Sequence, residues 1–118
     1  IWEAYQNEFK SLENEGLIQR PVIEPGSTIN GHIYYIILDE RFERQKIQEK
    51  LFEKGVVLQT HYEPLHLAPA GLKHGRKSSN LNITEDYAKR LLRLPIWPDM
   101  SAQQIRTVIG LLFDVLKK

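Results

Sequence analysis

The sequence contains no cysteine. That excludes a disulfide framework and a zinc ribbon, and it fits a chain that works in the reducing cytoplasm. No apolar run approaches the roughly 20 residues of a membrane span, and no secretory leader pattern lies at the first residues. Charge of one sign is not in excess: 16 Lys and Arg stand against 15 Asp and Glu, a formal net charge of +1. Nothing global therefore points to nucleic acid or an anionic membrane as a partner. Methionine is scarce as well. Met100 is the only one and the chain opens on Ile1, so the sequence reads as either processed or a piece of a longer protein, and the first helical pattern, with no capping residue ahead of it, suggests a helix already running upstream. What is there suits one domain: 118 residues, 42% of them hydrophobic and 26% charged, are enough for a single core of modest margin.

Periodicity places the elements. Ile1, Tyr5, Phe9 and Leu12 fall three or four apart, which predicts a helix over residues 1–16 ended by Gly16. Residues 21–31 form a connector with a Pro25-Gly26 turn. Residues 33–38 are an unbroken β-branched and aromatic run, the pattern of a strand buried on both faces, with Asp39 as stop and N-cap. A second helix is predicted over 41–54, closed by Gly55, and a second short strand over 56–58. Pro64 and Pro69 exclude regular structure from 61–71, and the polar stretch 73–82 reads as a mobile loop. A third helix is capped by Thr84 and carried on through Tyr87, Leu91 and Leu94 to Pro95, with a short edge strand over 94–97. Ser101 and Gln104 form a capping box for a last helix whose stripe is Ile105, Val108, Ile109, Leu112, Val115 and Leu116.

The chemistry concentrates in residues 61–71, directly after a strand end, where two histidines, a tyrosine and a glutamate sit between prolines. The prolines reduce the disorder lost on fixing the loop, so its polar groups can be preorganised for a ligand. Equally, Tyr62 and Leu65 can be read as packing residues and the histidines as surface groups. His61 and His66 match no zinc spacing, and Pro64 keeps them off one helix face. The basic run at 73–77 can hold a phosphate or simply be a solvated loop. His32 reads as a satisfied structural group at the start of a strand, and Trp97 as a packing anchor. No nucleophile triad and no pair of catalytic carboxylates can be assembled.

Four stretches in order carry a resemblance: Asn30-Gly31-His32-Ile33-Tyr34-Tyr35, His61-Tyr62-Glu63-Pro64-Leu65-His66, Pro69-Ala70-Gly71 and Arg90-Leu91-Leu92-Arg93-Leu94-Pro95. Together they resemble the DegT/DnrJ/EryC1/StrS group of pyridoxal-phosphate (PLP) dependent nucleotide-sugar aminotransferases. The resemblance implies an α/β (α+β) chain, the C-terminal small domain of the aspartate-aminotransferase-like architecture over residues 1–118. Such a domain has a small three-stranded, mainly antiparallel sheet covered by helices and begins on a long helix. A large N-terminal domain outside this chain would hold PLP and the cofactor lysine, since no lysine here lies in a matching context. Family members pair as homodimers with the active site at the subunit interface. The implied substrates are a dTDP-linked 4-keto-6-deoxy sugar and an amino donor, glutamate, in bacterial surface polysaccharide synthesis. His61, Tyr62 and His66 are the implied substrate contacts, with no catalytic, cofactor or metal residue in the chain. Without its cofactor domain the chain would be inactive. A rival reading remains open: a free-standing, non-catalytic α/β module that takes an anionic ligand on the 61–71 loop. In either case apolar faces made for a missing neighbour would leave exposed apolar surface.

Overall fold

The chain is organised around one strand. In the computed structural model, which describes residues 1–118, β2 (Tyr34–Leu38) is the centre of a three-stranded sheet. On one side it pairs with β1 (Ile18–Gln19), on the other with β3 (Leu91–Leu94), both antiparallel. The registers are Ile18 opposite Leu38, and Tyr34, Tyr35, Ile36 and Ile37 opposite Leu94, Arg93, Leu92 and Leu91. A central strand must bury its apolar side chains on both faces. Tyr34, Ile36 and Leu38 alternate onto the main core, while Ile37, on the opposite face, is buried outside that cluster.

Helices cover the core face. α1 (Trp2–Glu8) and α2 (Lys10–Asn14) are one helical run interrupted at Phe9, where the amide still bonds the Tyr5 carbonyl. Its buried stripe is Trp2, Tyr5, Phe9 and Leu12; Tyr5, Phe9 and Leu12 fall where their spacing predicts, while Trp2 takes the place expected of Ile1, which is only partly buried against the core. Their rings build an aromatic cluster with Tyr34: Trp2 meets it edge-on at 5.2 Å, and Tyr5 lies at 5.2 Å, tilted. Each polar end is satisfied. The Trp2 Nε1–H donates to the Ile33 carbonyl (3.1 Å), the Tyr5 hydroxyl to the Pro95 carbonyl (2.8 Å) and the Tyr34 hydroxyl to Gln6 Oε1 (2.9 Å). Burial pushes both phenols well above the usual tyrosine range.

α3 (Arg44–Phe52) and α6 (Ala102–Leu116) complete the layer, with Ile47 and Leu51 packing toward Val108, Leu112 and Val115 in one continuous cluster. The capping box forms as predicted: the Ser101 hydroxyl accepts from the Gln104 amide (3.2 Å) and Gln104 Oε1 from the Ser101 amide (2.8 Å). Gly16 and Gly55 take positive φ at the two helix ends where a left-handed residue is needed. Two further helices, α4 (Pro69–His74) and α5 (Asn82–Arg90), lead from the loop back to the sheet. Arg90 clamps α5 onto β2 by donating to the Leu38 carbonyl (2.7 Å), and Arg44 ties α3 to the Ala88 carbonyl (2.5 Å).

Several sequence-based expectations are corrected. Residues 56–58 form no strand. They run extended with Val56 and Leu58 buried and Val57 exposed, but the Leu58 carbonyl is taken by Gln48 Nε2 (2.9 Å), and only Gln59 bridges Arg93. The strand expected over 94–97 lies at 91–94, and the helix before it stops at Arg90 rather than Pro95. Leu92 and Leu94 point inward with period two, a pattern that also fits a helix turn over so short a run. Proline does not exclude structure from the loop, since Pro69 is the first residue of α4, where its missing N–H costs nothing. Lys73 and His74 are helical, not loop. α5 opens at Asn82, two residues before the expected Thr84 cap. Asp39 caps a turn through the Arg41 amide (3.1 Å), not the helix that starts at Arg44. The two-residue β1 was not anticipated.

Candidate functional site

The chain leaves the strand-like segment 56–59 through a two-way backbone bridge. The Gln59 amide donates to the Arg93 carbonyl (3.2 Å) and the Arg93 amide to the Gln59 carbonyl (2.7 Å). This pins the take-off point of His61 and Tyr62 to β3. From there the backbone turns at Pro64, whose carbonyl accepts the amides of Leu67 (2.8 Å) and Ala68 (3.2 Å), and enters α4. α4 folds back so tightly that a Cβ on Gly71 would stand 2.7 Å from the Leu65 carbonyl carbon and overlap its oxygen. Only glycine permits that approach. The hook is then tied to α5: His66 Nε2 lies 3.0 Å from Glu85 Oε1, with the His66 side chain 13% exposed, and Lys77 stands 3.9 Å from the same carboxylate.

The three expected contact residues therefore separate into two groups. His61 and Tyr62 stay together, their rings 5.6 Å apart, and Tyr62 is 82% exposed. His66 turns inward to hold the hook against α5. The residues that organise both groups, Arg93 and Glu85, were not singled out from the sequence. Arg93 Nε (2.9 Å) and Nη2 (2.6 Å) both approach His61 Nδ1, and the guanidinium lies 5.3 Å from the Tyr62 ring centroid. The outer edge of His61 is open to solvent while Arg93 covers its Nδ1 side. Burial of that side, then the Arg93 charge, holds the imidazole below its ordinary range. Reading β3 at 91–94 would have shown Arg93 as the one outward charged residue of a buried strand. His32 is exposed and bonds Asn30 Oδ1, so it is not the buried group its position suggested.

Along the open side of β3 runs a groove of about 600 Å³, lined by Lys54, Gln59, Arg93, Trp97, Gln103 and Thr107 among others, with no carboxylate. No group of three or more His, Asp or Glu converges as metal ligands, and no helix is long and apolar enough to cross a membrane. For an organic cofactor with a reactive aldehyde the protein must supply a lysine held out of water and a carboxylate for the ring nitrogen. Every lysine here is exposed and no charged residue is buried, so these residues do not build such a holder.

A sheet of this order covered by α1, α3 and α6 recurs in solved aminotransferases. The solved aminotransferase TlmJ from Streptoalloteichus hindustanus superposes with a TM-score of 0.80 at 25% identity, over 98% of this chain and 30% of that one. NtdA from Bacillus subtilis, solved with bound cofactor PMP, gives 0.79 at 24% identity over 98% of this chain and 27% of its own. The DegT/DnrJ/EryC1/StrS aminotransferase family model matches residues 1–113, and the chain belongs to that family. Among curated relatives, the dTDP-4-dehydro-2,3,6-trideoxy-D-glucose 4-aminotransferase of Saccharopolyspora spinosa is 27% identical over 93 residues, 79% of this chain and 23% of the relative. The chain thus spans less than a third of the proteins it matches.

Proposed function

We propose that the chain serves as the C-terminal small domain of a PLP-dependent aminotransferase that converts a dTDP-linked 4-keto-6-deoxy sugar to its 4-amino form. The family match over residues 1–113 carries this reading, and it is supported by a curated relative that is a 4-aminotransferase of a dTDP-4-dehydro sugar. Glutamate is the proposed donor and dTDP-4-amino-4,6-dideoxygalactose the proposed product, made in the cytoplasm for a bacterial surface polysaccharide. The complete protein is proposed to work as a homodimer. PLP, when bound to the complete protein, supplies the electron sink for amino transfer. The exposed lysines and the absence of any buried carboxylate here agree with the cofactor being held elsewhere in the complete protein.

The part this chain plays is to present one wall of the substrate cleft. Tyr62, with its hydroxyl free of any internal partner, donates to a sugar hydroxyl or phosphate oxygen. His61 stands beside it, and His66 joins through the ring nitrogen that Glu85 leaves free. The basic stretch from Lys73 to Lys77 lies next along the hook and is suited to the pyrophosphate charge. The test is Tyr62→Phe in the complete enzyme. Loss of one hydrogen bond predicts a kcat/KM for the dTDP-4-keto-6-deoxy sugar lower by about 2- to 10-fold, with the half-reaction with glutamate unchanged. Unaltered constants would remove Tyr62 from the substrate site. A complete protein with no aminotransferase activity on any nucleotide-linked keto sugar would remove the function.

A further inference from the structure

We propose that Arg93 is a positioning residue that holds the His61 imidazole in one neutral tautomer, with its proton on Nε2, so that the ring offers a single N–H donor outward. The argument begins with what a guanidinium can do: it has only donors. Two of its nitrogens, Nε at 2.9 Å and Nη2 at 2.6 Å, converge on His61 Nδ1. Nδ1 must therefore present its lone pair, and the ring proton is left on Nε2. The alternative tautomer would set an N–H against two N–H groups. The doubly protonated ring would add a second cation beside the first.

The placement of Arg93 is over-determined by the fold. It occupies the outward position of β3, between buried Leu92 and Leu94, and its backbone is bonded both ways to Gln59, two residues before His61. Its side chain lies over the Tyr62 ring, so one guanidinium fixes both neighbours. Arg93 from β3 and Tyr62 from the adjoining position are the charged and titratable groups set against the ring, and no carboxylate bonds to it to oppose the effect. The lowered proton affinity of His61 agrees with this arrangement but is not what establishes it. The chemical consequence rests on the substrate-wall reading above. A histidine locked in this way gives a hydrogen bond to an acceptor oxygen without bringing a charge that varies near neutral pH. His66 spends its Nε2 on the Glu85 carboxylate (3.0 Å), so its ring is committed inward rather than offered outward.

The tautomer can be read on this chain without any ligand, by long-range ¹H–¹⁵N NMR of the imidazoles. At pH 7.5 His61 is expected to show a protonated Nε2 and an unprotonated Nδ1, and to titrate below the ordinary histidine range. In Arg93→Met the two tautomers should mix and the titration midpoint should rise, while Arg93→Lys restores part of the bias. A wild-type His61 with its proton on Nδ1, or one that titrates in the ordinary histidine range, overturns the proposal without recourse to any variant. An unchanged His61 spectrum in folded Arg93→Met does the same. Because no substrate is involved, this outcome is independent of whether Tyr62→Phe affects sugar-nucleotide turnover.

Discussion

Two glycine-to-alanine substitutions, chemically identical, are expected to act with opposite signs. Gly110 lies on an exposed turn inside α6, and an added Cβ there meets nothing within 4 Å. Alanine removes unfolded-state freedom at no steric cost and should stabilise by about 1 kcal/mol. For 118 residues the unfolding entropy is about 0.25 kcal/mol/K at roughly 2.1 cal/mol/K per residue, so Tm should rise by about 4 °C. At Gly71 the new methyl overlaps the Leu65 carbonyl, which is backbone and cannot step aside. The chain can escape by opening the hook, which forfeits the two bonds to the Pro64 carbonyl and the His66–Glu85 contact. At about 0.5–1.5 kcal/mol each, the three contacts together are worth about 1.5–4.5 kcal/mol. α4 buries no residue, so the core is left alone. Thermal unfolding followed by circular dichroism gives the first number. Hydrogen exchange gives the second, with the Leu67, Ala68 and Leu72 amides losing protection in Gly71→Ala while those of β2 keep theirs. A lower Tm for Gly110→Ala would refute the open-space argument, and full protection of the hook amides in Gly71→Ala the close-approach argument.

Leu112, 1% exposed between α6 and the α1 and α3 helices, should cost about 3–5 kcal/mol when cut to alanine. The urea midpoint would move with little change in slope. Glu13 supplies a pH test. Burial alone would raise its carboxyl, but the Arg20 amide (2.7 Å) and guanidinium (2.6 and 2.8 Å) outweigh that and hold it below the ordinary carboxylate value. The unfolded state therefore binds the proton more readily. The stabilisation is fully present above the ordinary value near 4.5 and is lost as pH falls through the folded one. Urea midpoints measured from pH 7 to pH 3 should fall more steeply for the wild type than for Glu13→Gln, and parallel curves would contradict the pairing.

Where one physical cause dominates, residues alone were sufficient. Tyr5, Phe9 and Leu12 of the first helix stripe, the central strand (read over 33–38 and found at 34–38), the Ser101–Gln104 box and the positive-φ glycines at 16 and 55 are each set locally and are found, while Trp2 rather than Ile1 completes the stripe. The misreadings fall where two causes compete. Residues 91–94 satisfy a helical and a strand pattern alike, and long-range pairing with β2 decides between them. Residues 56–58 have strand composition, but the Gln48 side chain takes a carbonyl that a ladder would need. Proline at 69 was counted as a breaker when position N1 makes it a starter. The importance of His61 and Tyr62 was legible from the family-like motif. That Arg93 organises them was not, because their contact spans some thirty residues of chain and arises only when β3 and Gln59 meet.

The two indoles experience very different surroundings. Trp2 is 8% exposed, with its N–H spent on a carbonyl inside the aromatic cluster, whereas Trp97 is 43% exposed at the rim of the groove beside β3. Light can therefore address two parts of the molecule without a label. Iodide should dim the red-shifted emission of Trp97 and spare the bluer signal of Trp2. Anything settling in the groove would be seen through the first chromophore and loss of the packed interior through the second.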